Sequence, residues 1–299
     1  MQDQAQNLRK LIEDAKKRRE QDGEELFAKA SASDARIIAV SSGKGGVGKT
    51  SITVNLAISL AKRGKQVTII DADLGLANVD VLMGLIPKYT LYHLINGDKS
   101  LDEVAVEGPC GVKVVSGGSG IRELANLPQE RLHSFIKTLQ LLNDRADFIF
   151  IDTGAGIGDS VLSFIKAAND LIVVVSPDPA SITDAYALLK NVKDKREEIS
   201  IIVNSAGTKV EADEVFERLQ IVCKRFLQIE LHYMGHVLED SHVKKASRAQ
   251  RPFYLEYPNS PASSCVNLIT HKLEKSEDEE AKEVKDKRFR NFISKLLHK

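Results

Sequence analysis

The sequence predicts an α/β protein with a mostly parallel central sheet and helices on both faces. Short β-branched runs alternate with helical periodicity between residues 37 and 236, which is typical of that architecture. A glycine-rich motif lies between an apolar run and a helix-like run, as in phosphate-binding folds. At 299 residues and 42% hydrophobic content, the chain is large enough to bury a substantial core.

Seven strands are expected in this sheet. They fall at residues 37–40, 66–70, 112–115, 148–151, 171–175, 199–203 and 231–236. The apolar run Leu171 to Val175 fits a central parallel strand that is buried on both faces. The first helix is expected from Ile52 to Lys62, with Gly64 as its C-terminal cap.

The glycine-rich motif follows the first strand and matches Gly-x4-Gly-Lys-Thr. Its glycines let backbone N–H groups converge on phosphate oxygens, and the next helix adds the partial positive charge of its N-terminus. Lys49 is expected to reach the β and γ phosphates, and the Thr50 hydroxyl to hold Mg²⁺. The predicted nucleotide-binding residues of this segment are Gly43, Lys44, Gly45, Gly46, Val47, Gly48, Lys49, Thr50 and Ser51.

Lys44 is a second lysine in a motif that usually carries one. We expect it to serve either the nucleotide of its own chain or one held by a second subunit, as an arginine finger does. An exposed, solvated lysine is the alternative.

Polar residues follow several of the predicted strands, at the edge of the sheet where α/β proteins bind ligands. Asp152 directly follows an apolar strand and is expected to hold Mg²⁺, whereas a turn-forming aspartate is the alternative. Asp71 and Asp73 stand two apart, so they point the same way in extended backbone and cannot both be buried and ionised cheaply. Asp73 is the predicted catalytic carboxylate that positions or activates water, and Asp71 is expected to support the magnesium shell.

Asn204 directly follows the sixth predicted strand. The chain reads Asn-Ser-Ala-Gly there and lacks the carboxylate of the guanine-reading Asn-Lys-x-Asp motif. This favours adenine, with the Asn204 amide on the base edge. A strand-terminating turn residue is the alternative.

Acidic and basic residues balance at 42 each, so no global field draws the molecule to nucleic acid or to membrane. The three cysteines are far apart and form no Cys-x-x-Cys pair, which disfavours a metal-cluster carrier. No apolar stretch of about 18 residues appears, and the N-terminus begins polar. We expect a cytoplasmic protein that can still visit a membrane surface.

The C-terminal segment is predicted to be an amphipathic helix. Its apolar residues follow the i, i+3, i+4, i+7, i+8 pattern, at Phe289, Phe292, Ile293, Leu296 and Leu297. Basic residues flank this stripe, and a helix of roughly 20 Å can lie in a membrane surface but cannot span about 30 Å of hydrocarbon. Docking on the protein's own surface is the alternative.

At the N-terminus, Ala5, Leu8, Leu11, Ile12 and Ala15 occupy one side of a possible helix, which is read as a detachable arm. The domain prediction therefore has four parts: an arm and linker at 1–33, an ATPase domain at 34–275, an acidic linker at 276–286 and a membrane-targeting helix at 287–299.

Together these motifs resemble the deviant Walker-A ATPases of the MinD/ParA type, whose signature lysine precedes two glycines as Lys44 does here. Within that group, the chain is similar to the FlhG family of flagellar number and placement regulators. The more specific matches are at residues 73–80, 117–120 with 123–127, 152–157 and 177–186.

The resemblance implies an ATPase that uses ATP and Mg²⁺, with Lys44 crossing an ATP-bound homodimer interface and Asp73 as the catalytic carboxylate. It implies peripheral binding to the inner face of an anionic membrane and contact with flagellar basal-body or C-ring components. Asp3, Gln4, Leu8 and Arg9 lie in a stretch similar to the motif that activates FlhF-type GTPases. A weakly ordered amphipathic tail is the alternative for that stretch.

Two other functions compete with this interpretation. A ParA-like DNA-partitioning ATPase would bind duplex DNA non-specifically through a basic surface, and a MinD-like protein would select a cell-division site. Balanced charge and the terminal amphipathic helix argue against DNA, and no sequence-specific nucleic acid is expected as a partner.

Overall fold

The computed structural model describes residues 35–73, 78–117, 142–143, 145–193, 199–280 and 295. The predicted arm at 1–33, with Asp3, Gln4, Leu8 and Arg9, lies outside the described residues. The predicted membrane stripe lies outside them as well, with Phe289, Phe292, Ile293, Leu296 and Leu297. Both remain predictions.

The described part of the chain forms one eight-stranded sheet. Its strands are β1 (Arg36–Ser42), β2 (Val67–Ala72), β3 (Val106–Glu107), β4 (Lys113–Ser116), β5 (Phe148–Ala155), β6 (Asp170–Val175), β7 (Ile199–Ala206) and β8 (Leu231–Leu238). They lie in the order β3-β4-β2-β5-β1-β6-β7-β8. Every neighbouring pair is parallel except β3 and β4, which pair antiparallel. The predicted α/β class with a mostly parallel sheet is confirmed.

All seven predicted strands are present, and most extend by one to four residues toward the polar residues that follow them. The strand that the sequence did not indicate is β3. It has two residues, too few to show an alternating pattern, and its Val106 pairs with Val114 at the edge of the sheet.

Ten helices cover the sheet within the described ranges. They are α1 (Lys49–Lys62), α2 (Val79–Met83), α3 (Leu91–Ile95), α4 (Leu101–Val104), α5 (Asp159–Ala167), α6 (Pro179–Val192), α7 (Lys209–Leu227), α8 (Ser241–Arg248), α9 (Phe253–Glu256) and α10 (Pro261–Glu280). A 3₁₀ turn spans Pro109–Gly111. Gly64 follows α1 at φ 88° and donates its N–H to Ala61 O at 3.0 Å, which confirms the predicted cap.

The core consists of two apolar layers, one on each face of the sheet. Successive residues of β1 alternate between them: Ile37 and Ala39 pack into the layer beneath α5, α6 and α7, while Ile38 and Val40 pack into the layer beneath α1 and α10. A strand buried on both faces is mostly apolar, which is why the centres of β1 and β6 read as continuous hydrophobic runs.

The layout of the central strands positions the site. β5 lies between β1 and β2, so that Val40 pairs with Asp152 and Asp71 also pairs with Asp152. Because the three strands are parallel, their carboxyl ends meet at one edge of the sheet, together with the loops that follow them.

Helix α10 differs from the sequence-based domain boundary. It continues to Glu280, five residues into the segment predicted as an acidic linker at 276–286. Glutamate and lysine are good helix formers, so a charged segment that follows a buried helix can extend it. The rest of that segment lies outside the described residues.

Candidate functional site

The glycine-rich loop connects β1 to α1 at the carboxyl edge of the sheet. Gly46 and Gly48 have φ of 79° and 87°, a left-handed conformation that glycine adopts without strain. Helix α1 then begins, and Ile52 N–H donates to Gly48 O at 2.9 Å. The first N–H groups of a helix have no partner within the helix, so the start of α1 offers donors beside the loop, as a phosphate-binding site requires.

Two neighbouring elements hold the loop from either side. A Cβ built on Gly43 would lie 2.1 Å from the backbone carbon of Asp184 in α6, so only glycine fits there. On the other side, Asn204 Nδ2 donates to Val47 O at 2.8 Å, and a Cβ on Gly48 would lie 2.3 Å from the same nitrogen. The loop is therefore packed directly against α6 and the end of β7.

Lys49 forms a buried ion pair with Asp152. Its Nζ lies 2.9 Å from Asp152 Oδ1, and Thr53 Oγ1 donates to the same oxygen at 3.1 Å. Both side chains are buried, and burial raises the pKa of Asp152 despite the opposing effect of Lys49. Asp152 Oδ2 is buried and accepts no hydrogen bond from the described residues.

Asp71 is equally buried, but all of its described partners are backbone groups. Oδ1 accepts from Asp73 N–H at 3.1 Å, and Oδ2 accepts from Asn78 N–H at 3.0 Å and Val79 N–H at 3.2 Å. Burial and the nearby negative charge of Asp152 raise the pKa of Asp71 to about 6, and the three N–H donors oppose that rise.

Asp73 lies just past the end of β2 and is half-buried. Its carboxyl approaches the chain that leaves β5: Asp73 Oδ1 is 3.7 Å from the place where Gly154 would carry a Cβ. Thr153, between Asp152 and Gly154, donates its hydroxyl to Val40 O at 3.1 Å and so fixes that chain against β1. Asp73, which is predicted to act in hydrolysis, and Asp152, which is predicted to bind the metal, therefore lie at the same edge of the sheet.

Lys44 forms an ion pair with Asp178, the N-cap residue of α6. The side chains are 41% and 44% exposed, so the pair faces solvent at the mouth of the site. Asp178 Oδ1 also accepts from Ala180 N–H at 3.1 Å. The hydrogen bond from Lys44 is the main reason that the pKa of Asp178 lies below its ordinary value.

Thr50 and Asp152, two of the three residues predicted to hold or support Mg²⁺, fit a hard cation that keeps most of its water. The third, Asp71, accepts backbone N–H groups at both of its oxygens. Thr50 Oγ1 lies 3.5 Å from Lys49 Nζ, at the start of α1, and Asp152 Oδ2 is a buried oxygen that accepts no hydrogen bond from the described part of the chain. No group of three acidic, histidine or cysteine side chains that would cage a metal occurs in the described ranges. Such a sparse set suits Mg²⁺, which is commonly held by one or two protein oxygens together with phosphate oxygens and water.

The structure thus brings together the predicted loop residues with Asp71, Asp73, Asp152 and Asn204. One N–H of the Asn204 amide already bonds the loop, so the predicted contact with a base would rest on the second N–H and the oxygen. Sequence reasoning missed Thr53, which shares Asp152 with Lys49, and Asp178, which holds Lys44. For Asp178 a signal existed, because an aspartate before proline after a buried strand is typical of a helix N-cap.

Comparison with known proteins agrees with this geometry. The model of the ParA family, described as an NUBPL iron-transfer P-loop NTPase, matches residues 34–274. The antiactivator FleN of Pseudomonas aeruginosa is 42% identical over 241 residues, which cover 80% of this chain and 86% of FleN. The flagellum site-determining protein YlxH of Helicobacter pylori is 35% identical over 264 residues, covering 88% of this chain and 90% of YlxH.

A solved structure shares the fold. The MinD cell division protein of Aquifex aeolicus superposes with a TM-score of 0.64 at 25% identity, covering 81% of this chain and 97% of that one. No helix among the described residues is both long and apolar enough to cross a bilayer. From the family match, the extent of identity and the shared fold, the chain belongs to the ParA/MinD family of P-loop ATPases.

Proposed function

We propose that this ATPase is a switch that regulates flagellar number or placement: ATP dimerises it, the dimer binds the membrane, and hydrolysis resets it. The observation that carries the proposal is the second lysine of the loop. Lys44 is exposed, and it is held by a carboxylate at the mouth of the site rather than buried in the loop. The extensive identity with FleN and YlxH supports the flagellar part.

The buried groups of the site suit phosphoryl transfer to water. Lys49 is the cation that would bind the β and γ phosphates, and Asp73 is the carboxylate that would orient the attacking water or accept its proton. Thr50 and Asp152 would hold Mg²⁺, which neutralises phosphate charge when it is bound. We expect this hydrolysis to be slow, as suits a switch.

Lys44 links the nucleotide to dimerisation. Its ion pair with Asp178 is exposed, so water and salt weaken it, and the phosphates of a nucleotide can compete for the ammonium group. In a dimer, Lys44 would stabilise the phosphates bound by the second copy. The Asp178 carboxylate, released from Lys44, would remain as the cap of α6 through Ala180.

Membrane binding is assigned to residues 287–299. One short helix with five large apolar residues and several basic ones binds anionic lipid weakly. Two such helices on one dimer raise the effective concentration of the second, so that dimerisation converts weak binding into useful binding. The protein would then be cytoplasmic and peripheral at the inner face of the membrane.

The N-terminal arm is proposed to contact a partner rather than the site. Residues Asp3, Gln4, Leu8 and Arg9 would stimulate an FlhF-type GTPase, and flagellar basal-body or C-ring components would be further partners of the switch. Full-length protein and a variant with these four residues changed to alanine should hydrolyse ATP equally, while only the former stimulates the GTPase. Equal stimulation by both would remove the arm from the proposal.

Sedimentation with vesicles tests the switch itself. With phosphatidylglycerol-containing vesicles and ATP, Asp73→Ala should sediment as a trapped dimer, whereas Lys49→Ala should stay in the supernatant as a monomer. A chain that ends at residue 286 should dimerise with ATP and yet fail to sediment. If Asp73→Ala and Lys49→Ala behaved alike, the switch would be refuted; an ATP-dependent, salt-sensitive shift of random DNA would favour a ParA-like function instead.

A further inference from the structure

Asp71 ties together both ends of the segment that carries Asp73. One carboxylate oxygen accepts the N–H of Asp73, at the start of the segment, and the other accepts the N–H groups of Asn78 and Val79, where α2 begins. Residues 73 and 78 are thus held to one side chain.

The hydrogen bonds of Asp71 distinguish it from a typical magnesium ligand. A carboxylate has about four acceptor positions, and three on Asp71 are used by backbone N–H groups while the residue is 1% exposed. Asp152, its neighbour across the strands, instead has an oxygen with no donor among the described residues. Both oxygens of Asp71 therefore accept hydrogen bonds, whereas one oxygen of Asp152 accepts none from the described residues.

The register of the sheet explains how Asp71 can affect the position of the Asp73 carboxyl. Asp71 pairs with Asp152 between β2 and β5, and Ala72 pairs with Thr153. The next residue along each strand is Asp73 on one side and Gly154 on the other, and the carboxyl of Asp73 lies against Gly154. A shift of the Asp73 backbone would therefore change the position of its carboxyl relative to Asp152 and the phosphate loop.

We propose that Asp71 is a positioning residue, which fixes the Asp73 carboxylate for hydrolysis by clamping the backbone at residues 73, 78 and 79. This inference rests on the proposed role of Asp73. Asp71 acts through Asp73 and binds neither the metal nor the nucleotide. Displacing a catalytic group by about 1 Å can slow a reaction roughly a hundredfold, so loss of the clamp can strongly reduce the rate of ATP hydrolysis.

Asp71→Asn is the test variant because it preserves shape but replaces one acceptor oxygen with an N–H₂ group. That group would face a backbone N–H, so at least one end of the segment is released. We expect kcat for ATP hydrolysis to fall at least about tenfold, with the KM for ATP and the Mg²⁺ concentration at half-maximal binding of a fluorescent ATP analogue changed less than about twofold.

Hydrogen exchange followed by mass spectrometry measures directly whether Asp71 protects the backbone N–H groups that donate to it. Peptides that contain residues 73–79 should exchange faster in Asp71→Asn than in the wild type. Asp240→Asn is the matched control, because Asp240 is also buried and accepts the N–H groups of His242 and Ala262 at the starts of α8 and α10. It should speed exchange at those helix starts and leave kcat unchanged.

Three results would overturn the proposal: unchanged kcat in Asp71→Asn, a marked loss of Mg²⁺ affinity, or unchanged exchange across residues 73–79. If Asp71→Asn does not fold, wild-type exchange decides the question. Protection of residues 73, 78 and 79 should be the same with and without Mg²⁺ for a clamp, and Mg²⁺-dependent protection would refute it. Normal hydrolysis by Asp73→Ala would count against the proposed function. The exchange measurement tests the hydrogen bonds of Asp71 independently of that outcome.

Discussion

Lys49 Nζ lies 2.9 Å from Asp152 Oδ1, and the two buried charges join the first helix to the centre of the sheet. Asp152 pairs with Val40 of β1 and with Asp71 of β2, so this one contact links the phosphate loop to three neighbouring strands. The same lysine is the group that the triphosphate would attract. Binding ATP must therefore redistribute a charge on which the stability of the fold depends.

Lys49→Ala should lower both stability and ATP affinity. Removing one partner of a buried pair leaves an uncompensated charge, which destabilises proteins by about 3–5 kcal/mol. Denaturant unfolding measures this loss, and binding of a fluorescent ATP analogue measures the affinity, which should fall at least about a hundredfold. Adding Asp152→Asn to the variant should restore part of the stability but none of the ATP affinity. If the stability losses of Lys49→Ala and Asp152→Asn simply added in the double variant, the two side chains would not be paired.

Lys44→Ala should separate dimerisation from nucleotide binding. Lys44 lies at the exposed mouth of the site, so its loss should leave ATP affinity within about threefold of the wild type. Dimerisation with ATP or hydrolysis should be lost, which sedimentation-velocity ultracentrifugation and phosphate release would measure. A variant that dimerised and hydrolysed normally would refute the switch while leaving ATP binding intact.

Asp178→Asn should favour the dimer. The amide oxygen can still accept from Ala180 N–H and cap α6, but the charge that holds Lys44 is gone. Because the pair is exposed, the ATP concentration at half-maximal dimerisation should fall only about two- to fivefold. The difference between variant and wild type should shrink in high salt, and a dimer weakened by the substitution would contradict the competition between Asp178 and ATP.

Gly43→Ala should disturb the fold where the phosphate loop meets α6. The added Cβ would meet the backbone of Asp184 at 2.1 Å, and backbone atoms cannot turn aside as a side chain can. We expect a loss of about 1–3 kcal/mol in unfolding free energy, measured with denaturant. Gly45→Ala is the matched control for stability, because its Cβ would meet nothing within 4 Å and its φ is not positive.

Asn204→Ala tests what the Asn204 amide does. The structure shows it donating to Val47 O, so its removal should weaken binding of ATP and GTP together, by about three- to tenfold, because a buried carbonyl loses its donor. Competition binding with both nucleotides measures the ratio. A selective loss of ATP over GTP would instead support the predicted contact with the base.

The sequence predicted the sheet well because its central parallel strands are buried on both faces and are therefore mostly apolar, which makes them recognisable as runs. It also predicted that Lys49, Thr50 and Asp152 lie at one edge of the sheet, from the loop motif and from the place of Asp152 after an apolar strand, and the structure brings the three together. It could not predict that Lys44 meets Asp178, since the two lie 134 positions apart and pair only after β6 is placed beside β1. Nor could it show that the oxygens of Asp71 accept hydrogen bonds from backbone groups. Almost every residue type carries a backbone N–H, so the sequence does not indicate which of these groups will donate to Asp71.

The insertion of β5 between β1 and β2 also bears on how the protein is made. The first two strands emerge from the ribosome early, yet they are not neighbours and must stay apart until residues 148–155 arrive to fill the gap. Contacts between such distant segments form late and slowly, and unpaired strand edges are prone to aggregate. The nascent chain therefore has a long interval in which Lys49 is synthesised but lacks Asp152, the partner that holds it in the folded site.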